Sequence, residues 1–471
     1  MAEDLRVDLC VVGAGAAGLS VAAGASQMGA SVVLIERGKM GGECLNVGCV
    51  PSKALLAAGH AAAAVRGAGR FGIRTGEPQI DMAAVHAHVR GVIAGIAPMD
   101  SAARYAALGV RVIQAEARFV DRETMEADGR RIHARRFVLA TGSHPDIPDV
   151  PGLAETPYLT NETVFDLTEC PAHLVILGGG PIGCEMAQAW RRLGAAVTLI
   201  QSRDILPKDD PEIAEVVRRR LRREGVTLHE GTRAHRIART PGGIRVETET
   251  ATIEGSHLLV ATGRRAAVER LGLETAGIEH SAKGITVDAR LRTANRRVFA
   301  MGDATGGMQF THVAGYHAAV VLKNALFHWP AKADHRAVPW VTYTEPEAAH
   351  VGETEAQAAG RLGAANLRIL RFAVAENDRA RTERAEEGLI KVVTDRRGRI
   401  LGASIAASRA GDLILPWVMA VAGRQKIGAI AGAIAPYPTL SEISKRAAGT
   451  FFMPSLFSER TKRIVRVLQR F

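Results

Sequence analysis

Three observations predict an α/β protein with two Rossmann-like dinucleotide-binding domains and a further C-terminal domain. The chain has 471 residues, room for about three domains. Two glycine-rich fingerprints, each between an apolar strand and a small-residue helix, lie about 165 residues apart. Three more apolar strands end in short Gly-containing turns.

The first element, Arg6 to Val12, reads as a buried strand. Gly13-Ala14-Gly15-Ala16-Ala17-Gly18 follows, then an Ala-rich helix to about Met28. A second apolar run, Ser31 to Ile35, ends at Glu36, 23 residues after Gly13. Gly13, Gly15 and Gly18 allow a tight turn and close approach of backbone to a pyrophosphate at a helix N-terminus. Glu36 is placed to take ribose hydroxyls.

The pattern recurs with the strand His173 to Leu177, then Gly178-Gly179-Gly180-Pro181-Ile182-Gly183, a helix to about Leu193 and the strand Ala196 to Ile200. Gly178, Gly180 and Gly183 repeat the glycine spacing. Gln201 stands in the acid's place, followed by Ser202 and Arg203. A neutral residue beside a cation tolerates a 2′-phosphate, so NADPH is expected over NADH, with Arg203 and Lys208 as phosphate partners. The strands ending at Leu139 and Val260 run into Ala140-Thr141-Gly142 and Ala261-Thr262-Gly263. Thr293 to Asp303 reads as another contact strand, with Asp303 placed for a ribityl hydroxyl.

Between the fingerprints lies Gly41-Gly42-Glu43-Cys44-Leu45-Asn46-Val47-Gly48-Cys49-Val50-Pro51-Ser52-Lys53. Residues five apart on a regular helix have Cα atoms roughly 8.6 Å apart, and a disulfide needs less than about 7 Å. A bridge between Cys44 and Cys49 therefore requires a distorted helix, for which Gly48 is suited. Pro51 is placed to open the regular helix that follows, and a thiol at such a helix start is reactive. No further Cys or His follows at metal-ligand spacing, so a redox-active pair is favoured over a metal site.

Composition limits the alternatives. Hydrophobic residues make up 47% and charged residues 23%, a globular balance. No apolar run approaches the ~20 residues of a membrane span. Met1 to Asp8 lacks the pattern of a signal peptide, so a soluble cytoplasmic protein is expected. Lys and Arg number 60 against 49 Asp and Glu, a formal +11, but aromatics are only 4%. With no basic stripe interleaved with stacking rings, nucleic acid is not an expected partner. Cys10, Cys170 and Cys184 are isolated and read as buried small hydrophobes.

With these motifs in place, the chain from Val7 to about Ala448 resembles the class I pyridine nucleotide-disulfide oxidoreductases, the flavoprotein disulfide reductases. Cys44 to Lys53 is most similar to the dihydrolipoamide dehydrogenase and mercuric reductase branches. The resemblance implies FAD on Gly13, Gly15, Gly18, Glu36, Lys53, Thr141, Gly142 and Asp303. It implies NADPH or NADH on Gly178, Gly180, Gly183, Gln201, Arg203 and Gly263. The implied domains are 1–147 with 265–335 for FAD, 148–264 for NAD(P), 336–450 for dimerisation into a homodimer, and 451–471 as a basic C-terminal helix.

By the same resemblance, hydride passes from nicotinamide to flavin N5 and electrons then reduce a Cys44–Cys49 disulfide. Cys49 is the thiolate nearer the ring and Cys44 the interchange thiol, while Lys53 pairs with Glu185 near the flavin. The acceptor is a disulfide, a metal ion or another small molecule. The alternatives are a diaphorase or quinone reductase using flavin alone, and a flavin-bound redox sensor with little turnover.

The family's general base is a His in a His-Pro-Thr-x-x-Glu segment of the other subunit. Here Ala435-Pro436-Tyr437-Pro438-Thr439-Leu440-Ser441-Glu442 puts Tyr437 in that place, with Glu442 closing the motif. Phenol titrates near 10 and imidazole near 6.5, so Tyr is a poor base at neutral pH. A Tyr here resembles mercuric reductase, yet that branch's C-terminal cysteine pair has no counterpart, because no cysteine follows Cys184.

In Met453 to Phe471, Arg460, Lys462, Arg463, Arg466 and Arg470 face one acid, Glu459. Phe457, Ile464, Val465, Leu468 and Phe471 fall largely on one helical face. A helix packed on the dimer with a solvated basic face is expected first. A membrane-surface or protein partner is the sharper reading, which would place the protein peripherally at the inner face of the membrane.

Overall fold

The structure is a computed structural model and describes residues 4–471, which divide into two units. The first holds the chain up to Gly178 with Ala189–Ile200 and Thr232–Asp334; the second holds Gly179–Gln188, Gln201–Gly231 and His335–Phe471.

In the first unit the strand Leu5–Val12 pairs in parallel with Val32–Glu36 on one side and Arg130–Leu139 on the other. Val110–Gln114 extends this sheet beyond Val32–Glu36. Its strands are apolar on both faces, as buried parallel strands are. Alternate side chains serve separate cores. Cys10, Val12, Val33, Ile35, Phe137 and Leu139 lie in one, and Leu9, Val11, Val32, Leu34 and Val138 in the other.

The strand Arg130–Leu139 changes partner along its length. Its first half pairs antiparallel with Thr124–Ala127, and its end pairs in parallel with Val298–Ala300. Three turns therefore leave the same carboxyl edge of the sheet: those at Gly13, at Thr141-Gly142 and at Gly302-Asp303. In open α/β sheets that edge is where ligands bind.

A second parallel set joins His257–Val260, His173–Leu177 and Ala196–Gln201. The two fingerprint turns have matching geometry. Gly13 has φ +102° and Gly178 φ +108°. A Cβ at either would lie 2.3 Å from a carbonyl oxygen, of Ala140 and Ala261 respectively. Only glycine fits such a turn.

The second unit is built on an antiparallel sheet in the order Pro339–Thr342, Glu347–Gly352, Ile400–Ala407, Leu389–Asp395, Leu367–Ala373. Helices Leu415–Ala422 and Glu442–Thr450 bury Trp417, Ile443 and Ala447 in its core. The Trp417 indole N–H donates to Ser444 Oγ at 2.9 Å, a satisfied polar contact inside that core. Lys391 is only 4% exposed and is compensated by Asp210, Glu212 and Glu355 at 2.6–2.8 Å. No described helix is long and apolar enough to cross a membrane.

Beside Lys391's cluster, burial pushes the Asp209 carboxyl up to about 6; the Trp340 N–H bond at 2.8 Å opposes this and the charge of Asp210 adds to it. Between its unfolded and folded pKa the native state keeps a proton that the unfolded chain releases. Its contribution is therefore full below the unfolded value and is lost as pH rises through about 6. About two pKa units amount to about 3 kcal/mol. Asp209→Asn, whose amide oxygen still accepts from Trp340, is expected to be more stable than wild type at pH 7.5 by up to this amount, and equal to it near pH 4. Urea unfolding at both pH values checks this; a difference independent of pH would contradict it.

Candidate redox-active site

The cysteine motif forms two helices with a break between them. Gly42–Asn46 is a short helix, Val47 ends it, and Cys49–Gly67 begins after Gly48. Val47 N–H bonds Glu43 O at 2.8 Å, and the chain then turns back on itself. A Cβ on Gly48 would stand 3.0 Å from Glu43 O and 3.2 Å from Cys44 Cα. The distortion expected between the cysteines is thus a complete interruption, made where the absence of a side chain lets backbone meet backbone. The second helix begins at Cys49, two residues before Pro51. Proline is tolerated in a first turn, where N–H groups lack helical acceptors anyway.

Cys44 is partly buried, Cys49 is exposed, and both are thiols. The hydrogen bond with Cys49 is the main cause that pushes the Cys44 thiol well above its ordinary value, with burial and charge on Cys49 adding to it. The Thr311 hydroxyl opposes this and also lies 3.5 Å from Cys49 Sγ. The pair therefore carries one negative charge more readily than two. Cys49 is the first residue of a 19-residue helix, where the helix dipole stabilises a thiolate. Cys10 is fully buried, and burial pushes its thiol up to about 12, which makes it inert.

The carboxyl edge of the first sheet fits a flavin dinucleotide. Helix Ala16–Gln27 starts without a side-chain cap at Gly15, leaving its first N–H groups for an anion. A Cβ on Gly42 would fall 2.6 Å from Gly15 Cα, so the two glycines let the cysteine segment pack on this turn backbone to backbone. Glu36 Oε2 accepts from Ala14 N–H and Oε1 from Gly38 N–H, both at 2.6 Å. That fixes the acid at the strand end. The turn at Asp303 is held by His317, whose Nδ1 accepts Gly302 N–H at 3.1 Å. Thr141 donates its hydroxyl to Ala267 O at 2.6 Å, and Gly142 has φ +74°.

Residues that the motifs did not point to tie this edge to the cysteines. Ser143 Oγ donates to Asp303 Oδ2 at 2.6 Å, and Arg264 Nε donates to Ser143 Oγ at 2.9 Å. The other end of Arg264 forms an ion pair with Glu43, next to Cys44. Asn161 Nδ2 donates to Glu43 Oε1 at 3.0 Å and to Val47 O at 3.2 Å. Burial pulls the Arg264 guanidinium below its ordinary value while the Asp303 carboxylate opposes. The only sequence signal for Arg264 is its position directly after Gly263.

Lys53 is one turn beyond Cys49 in the first unit, its Nζ donating to Ser52 Oγ at 3.3 Å. Glu185 belongs to the second unit, buried and accepting Tyr343 N–H at 2.9 Å. Gln201 Oε1 accepts Gly179 N–H at 2.8 Å, the bond that Glu36 makes in the first fingerprint. Arg203 and Lys208 are exposed, Gly180 is half-buried and Gly183 is buried. In the first unit Gly263 O accepts Asp146 N–H at 3.0 Å.

Tyr437 is 68% exposed, and its hydroxyl donates to Asp378 Oδ2 at 3.2 Å. Asp378 was not singled out by sequence. That hydrogen bond, then the charge of Asp378, push the phenol above its ordinary value, with Glu442 adding a smaller push. Glu442 starts the helix Glu442–Thr450.

Comparison with known proteins agrees with this geometry. The pyridine nucleotide-disulphide oxidoreductase family model matches residues 7–318, and the model of that family's dimerisation domain matches 338–448. The mercuric reductase of Streptomyces lividans is 38% identical over 461 residues, covering 94% of this chain and 96% of the relative. The dihydrolipoyl dehydrogenase of Bacillus subtilis is 32% identical with the same coverage. The Cu(II) complex of the HOCl-induced flavoprotein disulfide reductase RclA from Escherichia coli superposes with a TM-score of 0.86 at 27% identity, over 94% of this chain and 99% of that one. The dimerisation-domain match supports assembly as a homodimer. With the broken cysteine helix, the flavin cradle and the repeated fingerprint, the chain belongs to the pyridine nucleotide-disulphide oxidoreductases, as an FAD-dependent NAD(P)H enzyme.

Proposed function

We propose that the enzyme passes electrons through Cys44 and Cys49 to a thiophilic metal ion rather than to a small disulfide. The observation that carries this reading is the Tyr437–Asp378 hydrogen bond where the family has a basic imidazole. A disulfide substrate needs a group that takes and returns a thiol proton, and a phenol held above its ordinary value does this poorly at neutral pH. A soft metal ion displaces the thiol proton to water as it binds and needs no protein base to take and return it. Mercuric reductases and a Cu(II) complex stand among the relatives' names, beside dihydrolipoyl dehydrogenases. The balance for a two-electron acceptor is NAD(P)H + Hg²⁺ → NAD(P)⁺ + H⁺ + Hg⁰. A one-electron acceptor such as Cu²⁺ is consumed twice per nucleotide.

Bound FAD supplies the exchange between two-electron hydride chemistry and the dithiol. The chain's own residues do the rest. Gly13, Gly15, Gly18, Glu36, Thr141, Gly142 and Asp303 hold the dinucleotide, and Lys53 supplies positive charge from the cysteine helix. Cys49 carries the thiolate at the helix start, and Cys44 meets the acceptor. Gly178, Gly180, Gly183 and Gly263 take the nicotinamide dinucleotide. Gln201 adds no charge at the second strand end and Arg203 is exposed beside it, which supports NADPH over NADH.

The exposed tail supports a second partner. Helix Glu459–Leu468 has no buried residue, and Ile464, Val465 and Leu468 are 49%, 48% and 65% exposed. Five cations and one acid surround this apolar edge. Such a face suits an anionic lipid surface.

Tyr437→His, with Asp378 ready to orient the imidazole, is expected to raise lipoamide or glutathione disulfide reduction by about 10²-fold while mercuric-ion reduction changes little. No gain would sink the assignment of Tyr437. Arg203→Ala is expected to raise KM for NADPH and leave that for NADH unchanged; equal effects on both would remove the NADPH preference. The protein should sediment with phosphatidylglycerol vesicles at low salt and not with phosphatidylcholine vesicles, and Arg463→Glu/Arg466→Glu should abolish this. Absence of sedimentation would exclude the membrane partner.

A further inference from the structure

The break between Cys44 and Cys49 solves one problem and creates another. A continuous helix would keep the sulfurs apart, but the five-residue helix Gly42–Asn46 is too short to hold itself in place. Its position must be imposed from outside. Leu45 is buried beneath it and Gly41 N–H bonds Ala14 O at 2.9 Å, and its long-range side-chain contacts converge on Glu43, which the redox chemistry itself does not use. Glu43 takes an ion pair from Arg264 and a hydrogen bond from Asn161. Asn161 also holds the carbonyl of Val47, the last residue before Gly48. One amide therefore grips both ends of the segment that carries Cys44.

The grip is anchored on rigid elements. Arg264 opens the strand Arg264–Ala266, which pairs with Ser143–Pro145, and its side chain is 16% exposed. Its Nε is fixed on Ser143, which is fixed on Asp303. Asn161 is 9% exposed. Glu43 and Arg264 compensate each other, and Asp303 lies behind Ser143. Cys49 and the uncharged Thr311 face the sulfur directly. Lys53 lies further along the second helix.

We propose that Glu43, Arg264 and Asn161 form a clamp of positioning residues that sets the reduction potential of the Cys44–Cys49 couple. The clamp stabilises the disulfide by holding Cys44 within reach of Cys49, which raises the effective concentration of one thiol at the other. The step is Cys44–S–S–Cys49 + 2 e⁻ + 2 H⁺ ⇌ two thiols, with dithiothreitol as the reductant in the test. Loosening the clamp leaves the dithiol form unchanged in chemistry and disfavours closure, so the couple becomes easier to reduce. The inference rests on Cys44–Cys49 being the redox couple, and it is independent of the acceptor.

The test is equilibration of the FAD-loaded protein in graded mixtures of reduced and oxidised dithiothreitol. Cys44 and Cys49 are then trapped by alkylation and counted by peptide mass spectrometry. Arg264→Met and Asn161→Ala are each expected to lower the equilibrium constant for disulfide closure about tenfold, a rise of about 30 mV. Arg264→Lys, which keeps the ion pair, should fall between wild type and Arg264→Met. Should Arg264→Met lose its flavin, Asn161→Ala decides. Variants with wild-type equilibrium constants, even if less heat-stable, would overturn the clamp and leave the redox pair standing. A wild-type protein whose two cysteines show no disulfide equilibrium would overturn the redox reading itself, and the clamp with it.

Discussion

The requirement that two sulfurs five residues apart touch, at the start of a helix, shapes most of the first unit around the cysteines. A regular helix forbids the contact, so the chain stops at Val47 and restarts at Cys49. The close approach of Gly48 to Glu43 and Cys44 follows from this. The restart puts Cys49 where a helix dipole favours its thiolate, and the fold-back keeps Cys44 beside it, held protonated by the same contact. The contact with Cys49 and burial thus disfavour charge on Cys44, while a helix start favours charge on the thiol it carries.

The parallel sheet supplies the other half of the arrangement. Because Leu5–Val12, Arg130–Leu139 and Val298–Ala300 run side by side in the same direction, distant parts of the chain deliver Gly13, Thr141 and Asp303 to one edge. The Asp303–Ser143–Arg264–Glu43 chain then couples that edge to the cysteine segment. Arg264 is costly to bury, and two carboxylates compensate it. Such a buried charge fixes register more than it adds stability. In the second unit the Tyr437 hydroxyl donates to Asp378, at the motif position where the family carries a histidine.

Much of this was legible in the sequence because it depends on local rules. The fingerprints declare themselves through glycine spacing and strand periodicity, and Gly13 and Gly178 adopt matching conformations in near-identical surroundings. The helix distortion followed from the incompatibility of helical rise with sulfur contact, although its start at Cys49 rather than Pro51 did not. Arg264, Asn161, Ser143 and Asp378 were not legible. They sit up to 221 residues from their partners, and nothing local distinguishes a clamping Arg or Asn from a solvated one. Thr311 was missed for the same reason. The tail was read as an amphipathic helix from its periodicity, and in the described chain that helix lies fully at the surface.

The central claim is that Cys44 and Cys49 lie on the electron path. The direct measurement is to add one equivalent of NADPH anaerobically to the FAD-loaded enzyme, trap thiols at once by alkylation, and record the flavin absorbance. The account predicts that both cysteines become alkylated at this first equivalent while most of the oxidised flavin absorbance remains. Bleaching of the flavin with the two cysteines still refractory to alkylation would contradict it.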